Sequence, residues 1–402
     1  MIRVLFISRY PGPPLHGGNI YINNILNNLD KWITISMVYY LDYEDDDNNR
    51  NEYLTSTWSC LDEVTGVKCL VPLTHWQRLR GLASSLPPGV YYTTHAVGHR
   101  ICEVAAELVS RGKVDIIHLW SANLAHSLKD ISQVPKILTC GDSFSLIHKS
   151  YARRKKFPLN MYHHLVSSRF IRYEQSVYPY YQIVVFFSER DRKSANLSAE
   201  IRQLVIPNGV NSSLFTPKNI LKKNEKPILA FHGDFIGNYA NIEAARFIID
   251  RIGPRLSAFL GNNGFVIQIF GIGAENILQG IDFPWLEVHG YIDNIVEKLS
   301  QADIYLAPIF SGAGIKNKVL EAMACGLPVI GTREAFEALA VKNHSHCIIS
   351  NIETFTDHVV KLVEDNATRI SIGLNARKLM VDKYSWKSVA RRYCQLYEEL
   401  LT

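Results

Sequence analysis

This sequence predicts an α/β protein made of two doubly wound parallel-sheet halves, and three observations carry that reading. Short apolar, β-branched runs alternate with amphipathic helical stretches along all 402 residues, the strand–helix–strand order of parallel sheets. The runs are continuous rather than alternating, as in strands covered on both faces. One segment, residues 206–227 ("IPNGVNSSLFTPKNILKKNEKP"), breaks the rhythm with proline, Asn-Gly, serines and lysines, and afterwards the alternation restarts.

The first half reads as strand 3–8 ("RVLFIS"), helix 21–29, strand 33–40 ("ITISMVYY"), helix 97–110, then strands 115–120 ("DIIHLW"), 136–140 ("KILTC") and 183–188 ("IVVFFS"). The second half reads as "PILAFHG", a helix over 241–252, "FVIQIFG", "WLEVHG", "DIYLAPI" and "PVIGT". Residues 384–401 form a strongly amphipathic closing helix. The expected boundaries are 1–205, a linker at 206–217, a second domain at 218–383 and the closing helix at 384–402. Two such sheets facing each other place their crevices in a cleft, and ligands bind beyond the carboxyl ends of the strands. The chemistry is therefore expected on loops that follow strands.

Bulk properties narrow the class. With 47% apolar and 20% charged residues the chain can bury two cores. A net charge of +5 suits anionic ligands or an acidic membrane surface and is too small to argue for nucleic acid. The seven cysteines (Cys60, Cys69, Cys102, Cys140, Cys325, Cys347, Cys394) are scattered, which reads as reduced thiols in a cytoplasmic protein. The apolar run at the start is too short for a signal peptide, and no stretch approaches a membrane span.

Four loops are candidates. After the first strand, "RYPGPPLHGGN" puts His16, Gly17 and Gly18 at a helix start, where backbone N–H groups either approach a phosphate or merely make a tight turn. His118, near the end of "DIIHLW", is either a hydrogen-bonded core residue or a catalytic group. "FGIGAENI" has Gly-x-Gly, but Asn276 stands where a dinucleotide fingerprint needs its third glycine. The fourth loop is "SGAGIKNKVLEAMACGLPVI", which follows "DIYLAPIF". Its helix begins near Lys316, with Val319, Leu320, Met323 and Ala324 on one side and Lys318, Glu321, Ala322 and Cys325 on the other. Lys318 and Glu321 sit at i, i+3, so they form either an exposed ion pair worth a few tenths of a kcal/mol or a ligand site. A ligand joining phosphates to sugar hydroxyls needs such a setting: lysine for the anion, carboxylate for the hydroxyls.

"GAGIKNKVLEAMACGLPVIGT" resembles the donor-site motif of the retaining GT-B glycosyltransferases of the family 4 type, the glycosyl transferases group 1. "PNGVNSSLFTP", "FHGDFIGNYANIEAARFI", "HGYIDNIVEKLSQADIYLAPI", "RYPGPPLHGGN" and the last helix resemble further parts of that family, so the likeness runs over nearly the whole chain. It implies two Rossmann-like domains facing across a cleft, and transfer of a sugar from a nucleotide-diphosphate sugar to an acceptor hydroxyl with retention. Neither cofactor nor metal is implied, since lysines and helix ends can stabilise the leaving diphosphate. The acidic run Asp45–Asp47 reads as solvated. The resemblance implies catalytic roles for His118, Lys318 and Glu321, with Glu321 holding the ribose hydroxyls and His118 beside the donor sugar. It implies donor contacts from Gly17, Gly18, Gly233, Tyr291, Ile292, Gly312, Ala313, Gly314, Ile315, Lys316 and Arg190.

Two departures stand out. Relatives often carry a glutamate eight positions before Glu321, where this chain has Ala313, and an Arg/Lys pair after the first strand of the second domain, absent from "GDFIGNYAN". The charge moves to the loop, with Lys318 first, Lys316 second and Arg190 third for the diphosphate. The implied acceptor is a glycan, a lipid-linked molecule or a small molecule. The basic, aromatic-flanked stretch at Arg153, Arg154, Lys155 and Lys156 reads as a solvated helix face or as peripheral contact with anionic lipid at the inner membrane face. Two other readings remain: a nucleotide-sugar-binding relative without turnover, and a GT-B nucleotide-sugar epimerase.

Overall fold

Strands β1 (Ile2–Arg9) and β8 (Ile228–His232) each open a parallel sheet at its middle, and the rest of the sheet grows outward from them. The computed structural model describes residues 1–402 apart from 13–16, 42–49, 69–73, 218–224 and 312–313; of residues 17, 18, 75, 78, 79, 82 and 154 it describes the backbone alone. Met1–Pro207 and Val389–Thr402 make up one unit, and Asn208–Ser388 the other.

The first unit adds β2 (Ile33–Leu41), β3 (Leu61–Lys68), β4 (Ile116–Trp120), β5 (Lys136–Gly141), β6 (Ile183–Phe186) and β7 (Arg202–Val205), in the order β3-β2-β1-β4-β5-β6-β7. The second adds β9 (Val266–Phe270), β10 (Leu286–His289), β11 (Ile304–Ala307), β12 (Val329–Gly331) and β13 (Ile348–Ile349), in the order β10-β9-β8-β11-β12-β13. Every pairing is parallel. Each unit is therefore a Rossmann-like doubly wound sheet. Its order reverses between β1 and β4, or between β8 and β11, and loops diverge there to leave a crevice at the carboxyl ends.

The continuous apolar runs have their expected cause. Val4, Leu5, Phe6, Ile7, Ile116, Ile117 and Leu119 are fully buried in the first unit, as are Leu229, Phe231, Ile267, Ile269, Ile304 and Leu306 in the second. Strands β3, β7 and β13 escaped the sequence reading because each lies at a sheet edge, two of them with largely part-exposed patterns that lack a continuous apolar run. The helix expected over 21–29 is Gly17–Leu26, so the glycine pair lies inside its first turn.

Residues from Asn208 onward are held firmly on the second unit. Val210 donates to the Tyr384 carbonyl at 2.7 Å, and the Arg377 guanidinium donates to the carbonyls of Ser212, Phe215 and Ala324 at 2.6–2.8 Å. In the closing helix, Trp386–Glu399, the buried residues Val389, Ala390, Tyr393, Cys394, Leu396 and Tyr397 form one stripe.

Candidate functional site

The helix Asn317–Ala324 follows β11 through the loop that contains Gly314, whose φ of +72° suits glycine. No side chain caps its N-terminus at Lys316, and its first turn holds no acidic residue. Helix starts favour anions and acidic side chains, because unpaired N–H groups and the macrodipole make that end positive. Here two lysines stand there instead. The arrangement concentrates positive potential, as a site for an anion does and a self-sufficient helix does not.

Val319, Leu320, Ala322, Met323, Ala324 and Cys325 are all buried. The side expected to carry Ala322 and Cys325 outward is therefore covered too, because the helix is wedged between the sheet and the helix Asn366–Leu379. Only a narrow strip with Asn317, Lys318 and Glu321 stays open. Lys318 and Glu321 are not paired with each other: Lys318 is held by the helix Tyr239–Phe247 that follows β8, and Glu321 by β8 itself. The Lys318 ammonium donates to Asn241 Oδ1 and lies 4.8 Å from the centre of the Phe231 ring. Asn241 is in turn held by the Asp234 carbonyl. Burial, then the nearby Lys316 ammonium, lowers the Lys318 pKa to about 7, against the opposite pull of Glu321 and Asp234. The Lys316 ammonium bonds the Gly314 carbonyl at 3.2 Å.

Glu321 Oε2 lies 3.0 Å from His232 Nε2, and His232 Nδ1 lies 3.1 Å from the Tyr305 hydroxyl. A carboxylate can only accept, so Nε2 carries the proton and Nδ1 accepts from the tyrosine. Burial lowers the His232 pKa, opposed by its bond to Glu321, so the ring stays neutral and the relay keeps one direction. It fixes one oxygen of Glu321, whose side chain is 26% exposed, and leaves Oε1 without a partner among the described residues. That oxygen can accept hydrogen bonds from a ligand's hydroxyls.

Gly233 directly follows β8 and faces this cluster: a Cβ there would stand 2.6 Å from Asn241 Nδ2 and 2.7 Å from Lys318 Nζ. The Gly-x-Gly of "FGIG" has a local explanation. Gly271 has φ +131°, and a Cβ on it would lie 1.9 Å from the Gly233 carbonyl oxygen, so it lets two strand-end loops touch.

The structure thus brings together Gly233, Gly314, Lys316, Lys318 and Glu321 in the second unit. Ile315 and Ile292 pack partly against that unit's core, and Tyr291 is exposed in the loop after β10. Gly312, Ala313 and the acidic run Asp45–Asp47 lie outside the described residues. Gly17, Gly18 and Arg190 belong to the first unit, the glycines opening the helix Gly17–Leu26 and Arg190 exposed on the helix Glu189–Ala195. His232, Tyr305 and Asn241 went unread in the sequence. The available signal was a histidine directly before a strand-end glycine in "FHG".

His118 is a correction. It is fully buried on β4, its Nδ1 2.6 Å from the Tyr397 hydroxyl and its Nε2 2.9 Å from Thr139 Oγ1, packed among Phe6, Trp120 and Tyr393. Burial lowers its pKa to about 3. With both nitrogens satisfied inside the core it cannot touch a donor sugar; it anchors the closing helix to the sheet. His118→Ala should cost about 2–4 kcal/mol through the cavity and the orphaned hydroxyls. The depressed pKa adds acid sensitivity: the unfolded chain binds this proton below about pH 6.5, so this group's share of stability is lost as pH falls from there towards 3. Thermal melts of both proteins from pH 7 to 4 test this.

Along its whole length the chain matches GT-B glycosyltransferase structures, and that is its fold. Sucrose-phosphate synthase from Thermosynechococcus elongatus superposes with a TM-score of 0.64 at 16% identity, covering 100% of this chain and 99% of that one. Anabaena Alr3699/HepE, solved in complex with UDP and glucose, gives 0.62 at 13% identity, covering 99% and 100%. Residues 226–365, within the second unit and including the cluster above, match the family described as Glycosyl transferases group 1. A probable sucrose-phosphate synthase of Thermosipho melanesiensis is 35% identical over 227 residues, 48% of this chain and 47% of that protein. The chain spans about a quarter to a half of the curated relatives it matches, from 26% to 47% of their lengths.

Proposed function

We propose that this protein is a retaining, metal-independent glycosyltransferase that moves a hexosyl unit from a nucleoside-diphosphate sugar to an acceptor hydroxyl, in the synthesis of surface polysaccharide, glycolipid or another glycoconjugate. The single observation that carries the reading is the pair of lysines at an uncapped helix start beside a carboxylate held in place by His232. The family match over residues 226–365 supports the same chemistry.

In this mechanism Glu321 Oε1 accepts from the ribose hydroxyls, while Lys318, Lys316 and the helix N-terminus receive the diphosphate. The bond from the sugar's anomeric carbon to the diphosphate oxygen breaks with its electron pair leaving on the diphosphate. The acceptor oxygen bonds the same carbon from the same face, and its proton passes to the departing phosphate. Charge grows on the leaving oxygens as the sugar becomes oxocarbenium-like, so ammonium groups and fixed dipoles aimed there lower the barrier more than they stabilise the bound donor. Gly17, Gly18, Arg190, Tyr291 and Ile292 keep their proposed donor contacts.

Thermal-shift measurement against a panel of nucleoside diphosphates and their sugars is the first test, since a ligand at 100-fold its Kd stabilises by about 2.7 kcal/mol. A uridine nucleotide comes first, because the HepE neighbour was solved with UDP. Diphosphate release with an acceptor extract, unaltered by a chelator, then tests transfer, and the anomeric configuration of the product tests retention. Binding without release would instead support a non-catalytic nucleotide-sugar binder, the reading favoured by the withdrawal of His118 from the site. Turnover without acceptor would make the protein an epimerase.

A further inference from the structure

We propose that the tip of the helical hairpin formed by Phe144–Arg154 and Leu159–Val177 in the first unit docks on the surface of an anionic lipid bilayer. Three observations point there.

The first is charge. Residues 143–173 carry seven Lys or Arg and no Asp or Glu, more positive charge than the net +5 of the whole chain. The remaining residues are slightly acidic, so the basic character of this protein is that of one hairpin. Among the described residues no acidic side chain pairs with Arg153, Lys155, Lys156, Arg169 or Arg172.

The second is apolar exposure. Phe157 is 76% exposed, Met161 60%, Leu159 54% and Leu165 51%, with Tyr151 and Tyr162 beside them also exposed. Isolated apolar residues on a surface are ordinary; six within fifteen positions are not.

The third is the direction of the helix faces. The inward face of Leu159–Val177 is Val166, Phe170, Tyr173 and Val177, and the hairpin closes through Phe144 stacked on Phe170 at 5.1 Å and His148 against His163 at 3.0 Å. Met161 and Leu165, one turn apart, lie off that inward face, with the part-exposed Arg169 a further turn along on its flank. Met161 and Leu165 keep more than half of their surface open to solvent.

An apolar tip flanked by lysines and arginines matches a bilayer interface, where side chains enter the acyl boundary and cations meet phosphates. A second copy fits poorly, since a two-fold contact would press the same positive patch against itself. Nucleic acid fits less well: exposed rings at Tyr151, Phe157 and Tyr162 could stack on bases, but the aliphatic side chains of Leu159, Met161 and Leu165 between and beside them would gain nothing from a polyanion and do gain from an acyl boundary. If the proposed function holds, this surface narrows the acceptor to one presented at a membrane. The docking itself does not depend on that reading.

The test is co-sedimentation of the full chain with phosphatidylcholine vesicles made with and without phosphatidylglycerol. The protein should partition onto the anionic vesicles alone, and less so at high salt. The variant Phe157→Ser/Met161→Ser/Leu165→Ser should weaken partitioning at least tenfold. Arg153→Gln/Lys155→Gln/Lys156→Gln should weaken it on the order of a hundredfold, at about fivefold per charge. Nucleoside diphosphate binding should be the same in all three proteins, which separates this proposal from the function of the second-unit site. Absence of wild-type binding to anionic vesicles overturns the proposal, as does binding that either triple variant leaves intact. A dimer dispersed by the apolar variant, in a protein that ignores vesicles, would overturn it in favour of a second copy. Tighter capture by RNA that ignores the apolar changes would overturn it in favour of nucleic acid.

Discussion

Glu321→Ala is expected to abolish the thermal shift produced by nucleoside diphosphates and to lower their affinity at least a hundredfold, while the folded protein keeps its melting point within about 2 °C. The carboxylate is partly exposed and leaves no cavity when truncated. What disappears is a charged acceptor oriented by His232, and hydrogen bonds to charged groups are worth about 1.5–3 kcal/mol each. Glu321→Gln separates charge from shape. Its amide keeps one acceptor oxygen but turns an NH2 towards either the ligand or the His232 N–H, so affinity should recover in part only. His232→Leu is the companion variant: it leaves Glu321 present but free to rotate, and about a tenfold rise in KM with a smaller change in kcat identifies it as a positioning residue. Retention of full nucleotide affinity by Glu321→Ala would remove the central element of the proposed site.

Lys318→Met should slow turnover by a factor of about 10²–10³, the range found when one preorganised donor to a developing anion is removed, and affect donor binding less. The same substitution should raise the melting point of the ligand-free protein by about 2–4 °C, the response of a domain this size to about 1 kcal/mol. The reason is the pKa of about 7. Burial and Lys316 penalise the charged form, so between pH 7 and 10.5 the unfolded chain binds the proton that the folded chain sheds. This group's contribution to stability therefore rises with pH across that window and is least favourable at and below pH 7. The advantage of methionine should shrink accordingly towards pH 10. A diphosphate restores the proton by adding opposite charge, so binding at pH 8 should be accompanied by proton uptake, measurable by calorimetry in buffers of different ionisation enthalpy. Loss of stability together with unchanged turnover would make Lys318 a structural residue held by Asn241 and Phe231.

The sequence exposed the interior of the fold more clearly than its edges. β1, β2, β4, β5 and β6 announced themselves because burial on both faces demands uninterrupted apolar residues, whereas the edge strands β3 and β7 carry mixed patterns and the edge strand β13 is only two residues long. The loop from Ser311 to Lys316 stood out because glycine and lysine together at a helix start are costly without an anion. Tyr291 and Arg190 were nameable only by resemblance.

Position along the chain could not say which partner a polar side chain would take. Lys318 and Glu321 are three residues apart, and spacing alone suggests an ion pair; folding sends one to Asn241 and the other to His232, across 77 and 89 residues. For His118 a core role was the commoner reading and its strand-end position kept chemistry open, until Tyr397, 279 residues later, closed over it. The strand–helix alternation, the break near residue 207 and the loop that gathers positive charge were all legible in the residues, because they follow from local periodicity and backbone preference. Which titratable groups are desolvated, and which oxygen stays open, became visible in the folded chain alone, because both depend on what distant segments bring to the same few ångströms.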